Sequence, residues 1–280
     1  MNNAGTIGFD LGSACLSFAH VDYGDSSPQI LSLACRASGS TEILPSCSRA
    51  VVAVPDTEYL VKRFEIVGGR SGDVASRMQF ELAQTMPEPP GRFQFDYFPS
   101  HRPNLYHGII YRRAILSELG QRIFPHSDRS ALESAYCARA IALGKGYLTF
   151  CTSGGGDLVC VADFCTDLVS LCLLYKGQIV ATGHVVITPP DLVEELALRR
   201  LAMNLKTIVN FKLLAAAADG VTVPITAFYV SGERIPLQLH TMLEQLFPVG
   251  VSRSESKVSC ETLGGIDLTR YLVPLGLTVN

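Results

Sequence analysis

The stretch Ile7-Gly8-Phe9-Asp10-Leu11-Gly12-Ser13 decides the fold, because a related unit returns in the second half of the chain. Asp10 ends an apolar run, Gly12 and Ser13 make a tight turn, and residues 15–21 run back as a second apolar strand. The result is a hairpin that holds a carboxylate at its bend. A third strand follows over residues 30–35. In the second half, residues 158–162 lead to Asp163, the bend is Phe164-Cys165-Thr166-Asp167, and residues 168–175 return before Lys176-Gly177 turns into residues 178–187. Two strand-turn-strand-turn-strand units, each with an aspartate at its first bend, predict an α/β fold of duplicated domains facing each other. The division is expected between residues 1–143 and 144–280.

Composition bounds the function. At 280 residues and 48% hydrophobic, the chain is able to bury two cores of ordinary size. A net charge of -3 leaves no excess basic field, which predicts no nucleic-acid partner. Only 18% of residues are charged and the mean hydropathy is +0.25, so large cores or an apolar contact surface are both expected. The start Met1-Asn2-Asn3-Ala4 lacks a basic region followed by an apolar core, and no uncharged apolar run reaches the ~18 residues of a membrane span. The expected location is cytoplasmic. Nine cysteines without a C-x-x-C pair provide neither a disulfide framework nor a zinc site, and in apolar elements they act as small hydrophobes. His101 and His107 lie six apart and are read as solvated or core histidines.

Between the two hairpin units, residues 50–54 and 59–67 read as strands, 73–86 as a helix with Val74, Met78 and Leu82 on one stripe, and 93–98 as an aromatic-polar strand. Residues 105–111 make another strand and 112–124 an amphipathic helix, so 57–127 form a small α+β insert. Residues 130–143 are rich in alanine and predict a helix ended by Gly144-Lys145-Gly146; the G-x-x-x-x-G-K-[ST] spacing of a phosphate loop is absent. The glycine-rich residues 153–157 are expected to be a hairpin turn between two strands. A long helix is predicted from a cap at Thr188 through Ala217, ended by Asp219-Gly220. Residues 225–230 form a strand, and Ser231-Gly232-Glu233 leads to a helix over 236–246. That strand-glycine-helix step places free backbone N–H groups where a ligand's oxygens are received.

In their order and spacing these pieces resemble the actin, Hsp70 and sugar-kinase superfold. Within it the chain looks most like the PilM-type actin-like proteins of type IV pilus assembly and the related cytoplasmic domain of the type II secretion protein GspL. Asp10-Leu11-Gly12-Ser13 matches the first phosphate motif, Val161-Ala162-Asp163 with Thr166 the second, and Tyr229-Val230-Ser231-Gly232 the adenosine motif. Glu133-Ser134-Ala135-Tyr136-Cys137-Ala138-Arg139-Ala140 looks like the connecting helix between the halves. Residues 51–55 through Phe80-Glu81 to Phe95-Asp96-Tyr97 resemble the entry to the PilM insert, and residues 271–277 the closing segment. The resemblance implies ATP bound through Asp10, Gly12, Ser13, Asp163, Thr166, Ser231 and Gly232, with Mg²⁺ held through water by Asp10 and Asp163. Glu133 is the candidate to orient a catalytic water.

Two departures weigh against turnover. Cys165 stands where the family has a glycine, and Gly232 stands alone beside Glu233 where the family has a glycine pair. Between Ile187 and Ile225 there is room for one long helix, so the second domain is expected to be trimmed. The resemblance then implies an adaptor with weak or lost ATP binding, at the inner face of the inner membrane. Its expected partner is the short cytoplasmic peptide of a PilN-like single-span inner-membrane protein, held within residues 57–127. The alternative is an active Mg-ATP-binding ATPase or sugar kinase, for which Asp96 and Asp128 are the available catalytic aspartates. A filament-forming subunit is a third reading.

Overall fold

The structure is a computed structural model, described over residues 5–23, 28–37, 47–66, 74–124, 133–151, 156–188, 191, 193–233, 235–257 and 266–279. In the first half, β1 (Thr6–Leu11) sends Ile7 and Phe9 into the core and pairs antiparallel with β2 (Cys15–Tyr23). β3 (Pro28–Ala37) adds to β2, β4 (Arg49–Val54) pairs parallel with β1, and β8 (Glu133–Ala138) completes the order β3-β2-β1-β4-β8. The second half repeats this plan with β9 (Leu158–Phe164), β10 (Leu168–Tyr175), β11 (Gln178–Val186), β12 (Ala227–Gly232) and β13 (Val251–Arg253), in the order β11-β10-β9-β12-β13. The repeat extends to register. Asp10 faces Ser17 across the first hairpin, and Asp163 faces Ser170 across the second. β9 is buried on both faces, which is why it reads as an almost unbroken apolar run.

The insert is a sheet of β5 (Tyr59–Glu65), β6 (Phe93–Pro99) and β7 (Leu105–Arg112) in the order β5-β7-β6, with α1 (Val74–Thr85) packed on it. Phe64, Met78, Leu82 and Phe93 form its core. The last helix expected in the insert, α2 (Arg113–Ile123), instead sends Leu116, Leu119 and Ile123 into the core of the first sheet beside Phe9 and Val52. His107 is buried and stacks on Phe98, with centroids 4.8 Å apart. His101 meets the ring edge of Tyr175 in the second half.

α3 (Arg139–Phe150) and α6 (Leu272–Thr278) share a core with both sheets, through Val51 and Ala53 on one side and Val161 and Leu174 on the other. α3 runs through residues 143 and 144, so both halves of the chain share it. The helix expected over 130–143 is therefore corrected. Residues 133–138 are strand β8, paired parallel with β4, and the helix begins only at Arg139. Pairing to the open side of β4 outweighs the helix propensity of the alanines. Gly144 and Gly146, expected to end the helix, lie inside it. A Cβ on Gly146 would stand 2.0 Å from the Leu272 carbonyl oxygen, and one on Gly276 1.7 Å from that of Ala142, so the glycines are what let α3 and α6 touch.

The described residues before the glycine-rich segment are the end of helix α3 and not the expected strand. α4 (Glu195–Ala218) begins later than expected, because Thr188 donates from both its N–H and its hydroxyl to Asp191 and closes a separate turn. It ends as predicted, at Asp219 and Gly220, the latter with φ +95°. α4 alone fills the interval between β11 and β12 except for short connections, which is the trimmed second half; α5 (Leu237–Leu246) follows β12. The sequence features Gly68-Gly69, Asp128, residues 153–155 and Pro189-Pro190 lie outside the described residues.

Forcing a methyl group between α3 and α6 tests this packing. Gly276→Ala is expected to destabilise the protein by about 1–3 kcal/mol or more in urea unfolding, because backbone atoms cannot yield as side chains do. Gly91→Ala, which meets nothing within 4 Å, should change stability by less than about 0.5 kcal/mol.

Candidate functional site

The ends of β1 and β9 carry Asp10 and Asp163, and β8 delivers the first residue of α3, Arg139, between them. The Arg139 Nε lies 3.1 and 3.2 Å from the two Asp10 carboxylate oxygens. Its Nη2 donates to Asp10 Oδ2 at 3.1 Å and to Asp163 Oδ2 at 2.5 Å, and also contacts Cys165 Sγ at 3.1 Å. Its Nη1 donates to Ser170 Oγ. The two acidic bends are therefore opposed across one guanidinium, whose planar fork matches several oxygen acceptors at once. Arg139 and Asp163 are each 3% exposed and Asp10 7%.

A second layer supports the first. Asp56, two residues past the end of β4, is buried and accepts from the Tyr59 hydroxyl, from Ser170 Oγ and, at 3.1 Å, from the N–H of Ala140 in the first turn of α3. It acts as a cap supplied by a neighbouring strand. Ser170 thus accepts from Arg139 and donates to Asp56. Ser231 Oγ donates to Asp163 Oδ1 at 2.8 Å.

Burial pushes the Asp163 carboxyl above its usual range, against the opposing pull of Arg139. Burial likewise raises Asp56, opposed by Arg139 and by its hydrogen bonds. The Cys165 thiol is raised by burial and stays protonated. Burial disfavours the Arg139 charge too, but the carboxylates of Asp10 and Asp163 outweigh it and hold the guanidinium firmly charged.

The structure brings some sequence-predicted residues together and not others. Asp10 and Asp163 meet at Arg139. Gly12 turns the first bend, its N–H bonded to the Cys15 carbonyl at 2.9 Å, and Ser13 is exposed on that turn. Thr166 donates to Glu233 Oε1 at 3.3 Å. Gly232 has φ +82°, and a Cβ there would stand 2.3 Å from the Phe164 carbonyl oxygen. The Glu233 N–H bonds that same carbonyl at 2.8 Å, so this N–H, expected to be open to a ligand, is taken by β9. Glu133 stands apart. It opens β8 opposite Arg49, five residues back along the strand from the Ala138–Arg139 junction, which is about 16 Å.

Mg²⁺ requires near-octahedral oxygen donors at about 2.0–2.1 Å. Here the carboxylate oxygens that would serve it, or its waters, point at guanidinium N–H groups instead, so the donor set does not fit the ion. The space is equally restrictive. On one side of Arg139 a cavity of about 40 Å³ lies among Asp10, Cys15, Asp163, Cys165 and Glu233. On the other, about 240 Å³ opens beside Gly12, Pro55, Thr57 and Val186. Both fall below the ~300–1,000 Å³ of typical ligand clefts.

Arg139, Asp56 and Ser170 are the site residues that sequence reasoning missed. The available signal was Arg139 itself, a lone charge in the run Ala138-Arg139-Ala140-Ile141-Ala142-Leu143. A charge placed among such residues is buried and must be paired.

Removing the cation should be costly. Arg139→Ala is expected to lose about 3–5 kcal/mol in chemical denaturation, because two buried carboxylates are left uncompensated, and Arg139→Lys should recover only part of this. Asp56→Asn tests the raised carboxyl. Because the Asp56 pKa is higher folded than unfolded, its contribution is fully present below about 3.9, the free value, and is lost as pH rises through the folded value. The stability gap between wild type and Asp56→Asn should therefore narrow from pH 4 to pH 8, as read by urea melts.

No protein-family model matches the chain, and no curated protein matches it in sequence. Solved structures do match. A chain of the PilM-PilN type IV pilus biogenesis complex superposes with a TM-score of 0.71 at 13% identity, covering 98% of this chain and 97% of that one. A Bacteroides thetaiotaomicron protein with an actin-like ATPase fold and unknown function gives 0.53 at 10% identity, covering 99% and 97%. The cytoplasmic domain of EpsL, an inner-membrane component of the Vibrio cholerae type II secretion system, gives 0.44 at 12% identity, over 86% and 94%. The duplicated sheets, the shared helix layer and the likeness over nearly the whole chain together establish an actin-like fold, with a guanidinium where its two acidic bends converge.

Proposed function

We propose that this chain is an actin-like adaptor of a type IV pilus or type II secretion assembly whose nucleotide site has been lost. The observation that carries the reading is Arg139 bonded to both Asp10 and Asp163, which takes the acceptor oxygens a metal-nucleotide would need. The sugar-kinase alternative finds less support, since Asp96 lies on β6 of the insert, opposite Ile109, and not beside the opposed aspartates.

The insert offers what an extended peptide needs. β6 ends its three-stranded sheet, and α1 runs beside it, leaving a groove of about 260 Å³ lined by Met78, Leu82, Phe93, Phe95, Tyr97 and Arg113. A peptide added to a sheet edge gains main-chain hydrogen bonds, while alternate side chains enter the apolar floor. The proposed occupant is the cytoplasmic peptide of a PilN-like single-span inner-membrane protein, which places the adaptor in the cytoplasm at the inner face of that membrane. PilN is the partner named in the complex that this fold resembles.

Two measurements separate the parts of this reading. Calorimetric titration with Mg-ATP is expected to show no binding, and micromolar affinity with hydrolysis would reverse the loss of the nucleotide site. Affinity capture from solubilised inner membranes should recover a single-span protein, with recovery reduced at least roughly tenfold by Phe95→Glu, a charge placed in the apolar floor. Capture of no such protein would refute the adaptor role.

A further inference from the structure

α4 is apolar on two opposite faces. Leu198, Leu201, Leu205 and Val209 pack into the core of the second sheet. The outward side carries Leu196 and Leu214, 77% and 71% exposed, with Met203 and Phe211 also exposed; exposed Val193 precedes the helix, and exposed Leu237 of α5 lies beside Met203. A helix that is apolar all round is normally covered on all sides. By length and composition α4 would suit a bilayer span, yet its inner face is already part of the protein core.

The outer pattern is self-complementary. Eighteen residues make five helical turns, so Leu196 and Leu214 lie on one line, with Met203 and Thr207 within about 20° on either side. The positions are symmetric about Leu205: Leu196 with Leu214, Arg199 with Phe211, Arg200 with Asn210, Met203 with Thr207. A second α4 laid antiparallel across a two-fold axis at Leu205 therefore sets Leu196 against Leu214 of the second copy. It also sets Arg200, whose guanidinium lies 3.9 Å from Asp191, on the same side of the seam as the Phe211 ring of the second copy.

The six apolar side chains leave on the order of 700 Å² open, close to the roughly 800 Å² per partner of a standard interface. A groove of about 640 Å³ between α4 and α5, walled by Met203, Leu237, Met242 and Leu246, flanks the stripe with adaptable side chains. An anionic lipid surface fits less well, because Arg199 and Arg200 at one end of the patch are already paired with Glu195 and Asp191.

We infer that the outer face of α4 is a two-fold, antiparallel dimer interface with a second copy of this chain. The inference uses neither the cleft nor the insert groove and is independent of the adaptor reading.

Sedimentation velocity of the full chain from about 1 to about 100 µM is expected to show a monomer-dimer equilibrium. Met203→Glu should weaken it by roughly 30-fold or more, since the charge occurs twice at the axis, with an unchanged thermal midpoint at dilutions where both proteins are monomeric. The double variant Met203→Glu/Thr207→Lys sets opposite charges across the axis and should restore association. A wild-type chain that stays monomeric throughout overturns the inference, as does a dimer indifferent to Met203→Glu. A monomer that floats with phosphatidylserine vesicles and loses flotation on Leu214→Glu would assign the face to lipid instead.

Discussion

Two buried carboxylates cannot face each other without a cation. Asp10 and Asp163 both contact the same guanidinium nitrogen, so their oxygens lie within a few ångströms of one another, where like charges repel by a few kcal/mol even at an effective dielectric of ~20. A cation held between opposed carboxylates can arrive with a ligand, as a metal ion, or belong to the chain itself. In this chain the charge is covalently attached at the start of α3, and everything around it is arranged to keep it there. Ser170 and Asp56 bind its far side and the helix that carries it, Ser231 fixes Asp163, and the Cys165 side chain occupies room that glycine would leave open.

A permanent cation also changes what the cleft is able to do. Residues from both sheets meet at Arg139, and α3 and α6 pack against both. At the rim, Arg63 of β5 pairs with the buried Asp219 at the end of α4, at 2.5 Å, and His101 meets Tyr175. Asp219 sits where the helix dipole disfavours a negative charge, which Arg63 offsets. The halves are thus joined at the centre and at the edge by contacts that need no ligand. These ligand-independent joints accord with the proposed role as a fixed scaffold, for which the insert groove and the outer face of α4 are the proposed contact surfaces.

Much of this was legible in the sequence, for identifiable reasons. The twin hairpins declare themselves through apolar strands broken by aspartate-containing bends, and the structure repeats them down to the Asp-Ser register. The insert strands were readable from aromatic-polar alternation. Residues 133–138 were not, because alanine-rich segments favour helix locally while the open side of β4 supplies a strand partner from 84 residues away. Gly144 and Gly146 misled for a related reason: their role is contact with α6, which no local pattern reveals. At the site, the sequence picks out the two acidic bends, which the structure brings together, but Arg139 was hidden in a segment read as a connecting helix. Its meaning depends on which charges the fold brings to it.

The central claim is that the guanidinium, and not a metal-nucleotide, is the resident partner of the opposed aspartates. A crystal structure of the protein soaked with Mg²⁺ and a non-hydrolysable ATP analogue tests it most directly. The account predicts Arg139 within hydrogen-bonding distance of Asp10 and Asp163 and no nucleotide in the cleft. Arg139 swung aside, with Mg²⁺ and phosphates between the two carboxylates, would contradict it.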